Sequence, residues 1–359
     1  MSDLFESAEV PPHHLRHGFR NPWLNSAPAG PLAIARWMLG RIALRLTRGR
    51  DRATFSRAAS AFAYPRAHPD RLTVTWIGHS TVLVQAGGRN ILTDPVWSRR
   101  ASPLQWIGPA RWVEPGIALD ALPPIDLVLI SHNHYDHLDA ATVRALAARH
   151  PDARWAAPLG LAKWLRARGA RDVVELDWWA EARLGGGEAT VVAVPAQHFS
   201  ARGVHDRQRT LWCGWAVEAG QHRVLFCGDS GHHPEWREIG ERRGPFDVAL
   251  VPVGAYEPRW FMRAVHMNPE EAVAAYQELS AAGHRSIATG IISPPRAPPV
   301  SEDVAARHRT VMVPIHWGTF KLTDEPMAEP PARTRAEWRR AGLPDEDLWL
   351  LAHGETRGL

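Results

Sequence analysis

SHNHYDHLD, residues 131–139, places three histidines and two aspartates within nine positions. His132, His134, Asp136 and His137 have the spacing H-x-H-x-D-H directly after the apolar run IDLVLIS. Alternate residues of an extended segment point the same way, so His132 and His134 can bind one ion while Asp136 and His137 reach another. Imidazole and carboxylate ligands without a thiolate suit zinc, with iron or manganese as alternatives, in an open catalytic site.

The remaining ligands are expected at the ends of other strands, because strand ends on one edge of a sheet converge in space. His198 follows VVAVPAQ, Asp229 follows RVLFCG, and His316 follows TVMVPI. Each is the first strong ligand type beyond its apolar run. Together with the first group they make five histidines and two aspartates, which is enough for two ions that share one carboxylate.

The rest of the chain predicts an α/β protein. Short apolar runs closed by turn residues, such as LTVTWIG and DVALVPVG, are interspersed with helical patterns. In NPEEAVAAYQELSAAG, Asn268 is predicted to cap a helix, with Pro269 at the first helical position and Glu271 at the capping-box position. Strands mixed with helices indicate one large α/β domain with decorations.

Composition and charge do not indicate a nucleic-acid-binding, membrane-spanning or secreted protein. The chain has 359 residues, 45% hydrophobic and 22% charged, as in a soluble globular protein. A net charge of +4 is too weak to argue for nucleic acid, and no such partner is expected. No run reaches the ~18 apolar residues of a membrane span, and the N-terminus does not read as a secretory signal. Cys213 and Cys227 lie in apolar stretches and predict buried free thiols in a reducing compartment.

Residues 1–70 are predicted to form an N-terminal arm with a basic amphipathic helix at 32–48, and residues 71–359 the catalytic domain. Apolar residues of the helix recur at 3-and-4 spacing, with arginines opposite. This helix is expected either to pack on the body of the protein or to contact anionic lipid at a membrane surface. A Pro-rich insertion is predicted at about 286–309, because His284-Arg285-Ser286 before the segment is echoed by His308-Arg309-Thr310 at its end. The expected location is cytoplasmic, with peripheral contact at the inner face of the membrane as an option.

The order of four motifs, ISHNHYDHLD, VPAQHFSARG, CGDSGH and PIHWGTF, resembles the metallo-β-lactamase superfamily. Within it, the sequence is similar to the branch containing N-acylphosphatidylethanolamine-hydrolysing phospholipase D. The resemblance runs from about residue 19 to residue 320. It implies an αββα sandwich of two mixed β-sheets flanked by helices.

The resemblance also assigns roles to the candidate ligands. It implies that the first ion is held by His132, His134 and His198. The second would be held by Asp136, His137 and His316. Asp229 would bridge the two ions.

Four further residues match the pattern of this branch. Asp94, in LTDP, would orient a ligand imidazole from outside the ligand sphere. Tyr135 and Asp139 also fit, although Asp139 equally suits a helix N-cap. His266 matches a histidine near the active site of relatives and, with Asp136, is a catalytic candidate through substrate contact or proton donation. The alternative for His266 is a structural residue just before a helix cap.

The expected mechanism needs no serine or cysteine nucleophile, and GHS at 78–80 is a poor match to a nucleophile elbow. Two zinc ions would hold a bridging water and lower its pKa to about neutral, giving a hydroxide nucleophile. The leading hypothesis is a phosphodiesterase of phospholipase D type acting on N-acylphosphatidylethanolamine-like lipids. Lactonase or phosphodiesterase activity on a soluble sugar phosphate or other small ester is the alternative, and a non-catalytic metal-binding scaffold is a remote one.

Overall fold

Two β-sheets form the centre of the protein, and the computed structural model describes residues 10–24, 36–37, 40, 51, 53–184, 189–203, 205–289 and 309–359. The strands are β1 His14–Leu15, β2 Gly18–Phe19, β3 Thr73–Gly78, β4 Thr81–Ala86, β5 Arg89–Thr93, β6 Leu127–Leu129, β7 Arg154–Pro158, β8 Asp172–Leu176, β9 Glu181–Leu184, β10 Ala189–Val194, β11 Gly214–Ala219, β12 His222–Phe226, β13 Val248–Pro252, β14 Val311–Ile315 and β15 Thr356–Gly358. The α-helices are α1 Ala140–Arg149, α2 Ala162–Arg166, α3 Trp236–Arg243, α4 Arg259–Met262, α5 Pro269–Thr289 and α6 Glu329–Arg340.

Both large sheets are mixed. Among the described residues, one has the order β15-β3-β4-β5-β6-β7-β8 and the other β14-β13-β12-β11-β10-β9. In the first sheet β15 to β5 are antiparallel and β5 to β8 parallel. In the second sheet β9 to β12 are antiparallel and β12 to β14 parallel. Helices cover the outer faces, so the expected αββα sandwich is confirmed.

The strands are apolar on both sides because each sheet is covered on both faces. On β4, Val82 and Val84 belong to the core between the sheets. Leu83 points the other way and joins the cluster that contains Val143 and Leu146 of α1. Successive side chains therefore contribute to two different cores, as strand geometry requires.

The direction of the strands positions the candidate ligands. β5 and β6 are parallel, and so are β12, β13 and β14. β10 runs in the same direction as β12, since each is antiparallel to β11. In each sheet these strands therefore end at the same edge. The segments that follow β5 and β6 start at one edge of the first sheet, and those that follow β10, β12 and β14 start at one edge of the second. The carboxyl ends of strands are where α/β proteins commonly place their sites.

Two helices begin with side-chain caps. Asp139 precedes α1, and its Oδ1 accepts a hydrogen bond of 3.1 Å from the backbone N–H of Ala141. At α5, the backbone N–H of Glu271 donates to Asn268 Oδ1 at 2.9 Å, and the N–H of Asn268 donates to Glu271 Oε2 at 3.2 Å. The predicted capping box is confirmed, and both caps satisfy backbone donors that helix starts leave unpaired.

An N-terminal segment, residues 10–24, packs on the body of the protein. Nε2 of His13 and Nε2 of His14 each donate to one oxygen of Asp177 at 2.7 Å. Further along, Asn21 Nδ2 donates to the backbone carbonyl of His198 at 2.8 Å. This last bond is buried and supports the segment that carries a candidate ligand.

Two predicted features lie outside the described residues. Of the basic helix at 32–48, the structure describes only Arg36, Trp37 and Gly40. Of the insertion at 286–309, it describes the last helical residues of α5, up to Thr289, and Arg309. The division of the chain at residue 70 stays a prediction. Within the part of the chain that is described, no helix combines the length and apolar character needed to cross a membrane.

Glu235, directly before α3, predicts a pH-dependent stability. Burial and the neighbouring Glu238 raise the pKa of Glu235 from 4.5 to about 7. The folded state therefore disfavours the charged form, and this penalty grows as pH rises from 4.5 to about 7. We expect Glu235→Gln to raise the free energy of unfolding by about 1 kcal/mol near pH 8, after allowance for solvent screening, and to leave it unchanged near pH 4.

Urea denaturation at the two pH values measures this effect. Glu241→Gln, an exposed position on α3, is the matched control and should change stability by less than about 0.5 kcal/mol. Equal stabilisation by Glu235→Gln at both pH values would show that the charge of Glu235 is not the cause.

Candidate metal centre

The first group of candidate ligands comes from the segments after β6 and β10. His132 Nε2 lies 2.8 Å from His134 Nδ1, and His198 Nε2 lies 3.2 Å from the same atom. All three rings are deeply placed, with His132 and His198 fully buried. Three imidazole nitrogens that converge in this way form a group able to hold one metal ion.

The second group gathers around Asp136. Asp136 Oδ2 lies 3.4 Å from His137 Nε2 and 3.5 Å from His316 Nε2. His316 follows β14 of the other sheet and has a positive φ of 63°, which turns its ring into the cluster. These residues also form a group with ligand atoms close enough to hold one ion.

Asp229 lies between the two groups. Its Oδ2 is 3.1 Å from both His137 Nε2 and His316 Nε2 of the second group. The same oxygen is 3.9 Å from His132 Nε2 and 3.8 Å from His198 Nε2 of the first. The structure therefore brings all seven predicted ligands together, from both sheets, around one carboxylate.

Several polar atoms in this cluster are buried without a hydrogen-bond partner among the described residues. They are Asp229 Oδ1, His266 Nδ1 and His79 Nδ1. Unpaired buried polar atoms are costly and uncommon, and here they face other ligand-type atoms. Five imidazoles and two carboxylates in such an arrangement fit metal ions that prefer nitrogen and oxygen ligands.

Burial keeps the first group uncharged. It lowers the pKa of His132 well below its ordinary value, with further lowering by neighbouring histidines. For His134 and His198, burial lowers the pKa to about 3 and about 4. The neutral imidazole is the form that binds metal, so these three residues are ready to coordinate a cation at neutral pH.

The second group has a different charge state. Burial acts to lower the pKa of His316, but Asp229 and Asp136 outweigh it and raise that pKa to about 9. The same two carboxylates hold the pKa of His137 well above its ordinary value. Burial acts to raise the pKa of Asp229, yet the charges of His137 and His316 keep it well below its usual range. A cation that binds here releases the protons of the two histidines.

Asp94 orients His137. The Nδ1 of His137 donates to Asp94 Oδ2 at 2.6 Å, and the backbone N–H of Ser131 donates to Asp94 Oδ1 at 2.7 Å. These bonds direct the opposite ring nitrogen, Nε2 of His137, toward Asp136 and Asp229. Asp94 follows β5 and is fully buried, in the place that the resemblance implies.

Replacing Asp94 by Ala should weaken metal binding. His137 would lose the acceptor that fixes its ring, and such outer partners typically contribute 10- to 100-fold in metal affinity or activity. We expect a loss of that size in zinc affinity, measured by competition with a chromophoric chelator. Thr93→Ala, next to it in the chain and also buried, is the control. Unchanged affinity in Asp94→Ala would mean that His137 does not need this partner.

Two of the predicted residues have structural contacts away from the cluster. The hydroxyl of Tyr135 donates to the backbone carbonyl of Arg202 at 2.9 Å, and the Arg202 guanidinium lies 4.0 Å from the centre of its ring. Asp139 caps α1 and also accepts from the backbone N–H of Ser98 at 3.0 Å. Both brace the loop around the ligands, and of the two uses predicted for Asp139 the structure shows the N-cap.

His266 joins the cluster beside Asp229. Its Nδ1 lies 4.0 Å from Asp229 Oδ2, and its ring centre lies 5.0 Å from that of His198. The residue also precedes the α5 cap, and its carbonyl accepts from Arg259 Nη1 at 3.0 Å. The His266 ring therefore lies at the site, while its backbone carbonyl accepts a hydrogen bond in the segment before α5.

His79 is a member of the cluster that the sequence interpretation missed. Its Nε2 lies 3.0 Å from Asp136 Oδ2, and its ring centre lies 4.1 Å from that of His316. The strand-end argument applied to LTVTWIG identifies His79, because it is the first ligand type after β3, which runs in the same direction as β5.

Aromatic and apolar side chains border the cluster on both sides. The Phe199 ring centre is 4.6 Å from that of His134, and the Phe320 ring centre is 5.2 Å from that of His79. Each ring has a guanidinium 4.8 Å from its centre, from Arg207 for Phe199 and from Arg111 for Phe320. Both ends of the site thus combine an apolar wall with a positive charge.

This fold and this arrangement of histidines and aspartates define a class, the metal-dependent hydrolases. Residues 89–291 match the family described as "Beta-lactamase superfamily domain". The chain belongs to this metallo-β-lactamase superfamily and is one of its metal-dependent hydrolases.

Individual proteins that the chain resembles include one curated relative and two solved structures. The chain is 40% identical over 268 residues to N-acyl-phosphatidylethanolamine-hydrolyzing phospholipase D 1 of Caenorhabditis elegans, covering 72% of this chain and 67% of that protein. Its fold is similar to Igni18, a metallo hydrolase of Ignicoccus hospitalis, with a TM-score of 0.56, 23% identity, and coverage of 80% of this chain and 98% of Igni18. The fold is also similar to that of CmlA, a diiron beta-hydroxylase of Streptomyces venezuelae, with a TM-score of 0.54 and 22% identity. The likeness covers 82% of this chain and 55% of CmlA.

Proposed function

We propose that this protein is a binuclear zinc phosphodiesterase of phospholipase D type, acting on N-acylphosphatidylethanolamine-like lipids. The observation that carries the proposal is the position of Asp229 Oδ2, within 4 Å of ring nitrogens from both histidine groups. The 40% identity to the nematode phospholipase supports the choice of substrate. The absence of a thiolate among the candidate ligands favours zinc over softer metals and leaves iron and manganese as alternatives.

In this proposal the ligands divide into two triads. His132, His134 and His198 would hold one ion. Asp136, His137 and His316 would hold the other, and Asp229 would be a ligand to both. When bound, the two ions would lower the pKa of a water molecule to about neutral and neutralise charge that develops on the phosphate oxygens.

Residues around the ligand triads contact the substrate. Arg207 and Arg111, above Phe199 and Phe320, attract the phosphodiester, and the two rings contact its apolar parts. His266 stands beside Asp229 and contacts the substrate as a neutral ring, because burial lowers its pKa well below the ordinary value. The departing alcohol takes the proton that the attacking water gives up. Water adds at phosphorus, the bond from phosphorus to the ethanolamine oxygen breaks, and phosphatidic acid and an N-acylethanolamine are released.

The two cysteines support a cytoplasmic location. Cys213 and Cys227 are free and buried, and burial raises the pKa of both thiols. Buried free thiols suit a compartment where disulfides are rare.

Hydrolysis of liposomal N-acylphosphatidylethanolamine in oxygen-18 water tests the proposal. The zinc-loaded protein is the sample and the His316→Ala variant is the blank. Label in the phosphatidic acid is the expected result, because water attacks phosphorus. A protein that holds two ions per chain and releases no product would direct the search to soluble phosphodiesters and lactones.

A further inference from the structure

A loop between β5 and β6, residues 99–111, exposes large apolar side chains to solvent. We call it the apolar loop. Leu104 is 45% exposed, Trp106 73% and Ile107 53%. Residues 103–108 are all exposed, so these three side chains project from the body of the protein. Contiguous apolar exposure of this kind marks an interaction surface.

The loop is held in its conformation at its base. Arg100 and Ala110 form an antiparallel bridge. The backbone N–H of Arg111 donates to the carbonyl of Arg99 at 2.7 Å. Gly108 has a φ of 100°, and a Cβ atom there would lie 2.7 Å from the Cβ of Ser102. The tip is therefore presented ready for contact, and ordering it on binding costs little entropy.

The base of the loop touches the wall of the metal cluster. Arg111 pairs with Phe320 in a second isolated bridge, and its guanidinium lies over the Phe320 ring. That ring packs edge-on against His79, whose Nε2 is 3.0 Å from Asp136. Three successive side-chain contacts thus connect Arg111, at the base of the loop, to Asp136 of the second ligand group.

The charge of the segment selects the partner. From residue 96 to residue 113 the sequence has three arginines, Arg99, Arg100 and Arg111, and no acidic residue. Apolar tips with basic flanks suit an anionic bilayer, where the apolar groups enter the boundary of the acyl chains and the cations meet headgroups. A projecting tip of six residues is also small beside the 20–30 residues that a stable protein interface uses on each side.

We propose that the apolar loop docks this protein on an anionic phospholipid bilayer, with Leu104, Trp106 and Ile107 inserted and Arg99 and Arg100 at the headgroups. The contact places the second ligand group beside the membrane surface, where a phospholipid can enter from the bilayer. The choice of a lipid surface rests on the proposed function. The binding event itself needs neither metal nor turnover.

Co-sedimentation with vesicles tests the docking. The full chain is mixed with vesicles of phosphatidylcholine and phosphatidylglycerol in equal parts, and with phosphatidylcholine alone. We expect binding to the anionic vesicles, weakened by salt. The triple variant Leu104→Ser, Trp106→Ser, Ile107→Ser should bind at least tenfold more weakly. Tyr64→Ser, which alters an aromatic residue that is 72% exposed outside the loop, should bind like the wild type.

Two further measurements separate the docking from the proposed function. Hydrolysis of a soluble diester, bis(4-nitrophenyl) phosphate, and the thermal midpoint should be unchanged in the triple variant, which shows that the protein is folded and its site intact. Loop-dependent vesicle binding without hydrolysis of any diester would reject the proposed function and keep the docking. Wild-type protein that does not bind anionic vesicles, or a triple variant that binds equally well, would overturn the docking. Loop-dependent self-association in sedimentation velocity would also overturn it.

Discussion

Asp229→Asn should lower turnover by about a thousandfold or more, which corresponds to about 4 kcal/mol of transition-state stabilisation. The Oδ2 atom of Asp229 is 3.1 Å from His137 and His316 and within 4 Å of His132 and His198. An amide at this position keeps the shape of the side chain but removes the charge shared by both groups. The zinc content should fall below two ions per chain, measured by mass spectrometry of the metal alongside steady-state kinetics.

A second buried aspartate supplies the control. Asp347 is 7% exposed and pairs with Arg309 rather than with the histidine cluster. Asp347→Asn should therefore retain its metal and its turnover, although it loses an ion pair. Full turnover and full zinc content in Asp229→Asn would reject the binuclear mechanism.

Trp215→Ala should lower the free energy of unfolding by about 3–5 kcal/mol, because it removes a large side chain from a packed core. Trp215 lies on β11 and is fully buried between the sheets. Its Nε1 donates at 2.9 Å to the backbone carbonyl of Ile130, the residue directly after β6 of the other sheet. This bond supports the segment that leads into His132, so the variant should also bind zinc more weakly. Urea denaturation and chelator competition measure the two effects.

Two comparisons separate the causes. Trp215→Phe retains most of the packing but leaves the Ile130 carbonyl without its indole donor, and should cost about 1–3 kcal/mol. Trp106→Ala removes the same type of residue at a position that is 73% exposed, and should change stability by less than about 0.5 kcal/mol. Equal losses from Trp215→Ala and Trp106→Ala would contradict the assignment of the core.

Much of the site could be predicted because its ligands obey a local rule. His198, Asp229 and His316 each follow an apolar run, and strand ends on one edge of a sheet meet in space. His79 obeys the same rule, since it is the first ligand type after LTVTWIG. Tyr135 shows the opposite case, since it lies within the ligand motif but its hydroxyl contacts the carbonyl of Arg202.

The sequence by itself determined the fold class and the set of candidate ligands. Strand periodicity, helix caps and ligand spacing are local properties, and the residues that display them are neighbours in the chain. The order of four motifs then identified the superfamily, which the comparison of the chain with that family confirmed.

Only the tertiary structure decided how these residues are arranged. His79 and His316 are far apart in sequence, yet their ring centres lie 4.1 Å apart because β3 and β14 end at the same edge of the sandwich. The pairing of His137 with Asp94, the position of Asp229 between two groups, and the exposure of Trp106 likewise depend on which segments meet. A local pattern indicates how a segment is buried but not what it is buried against, since long-range contacts form only when both sheets pack together.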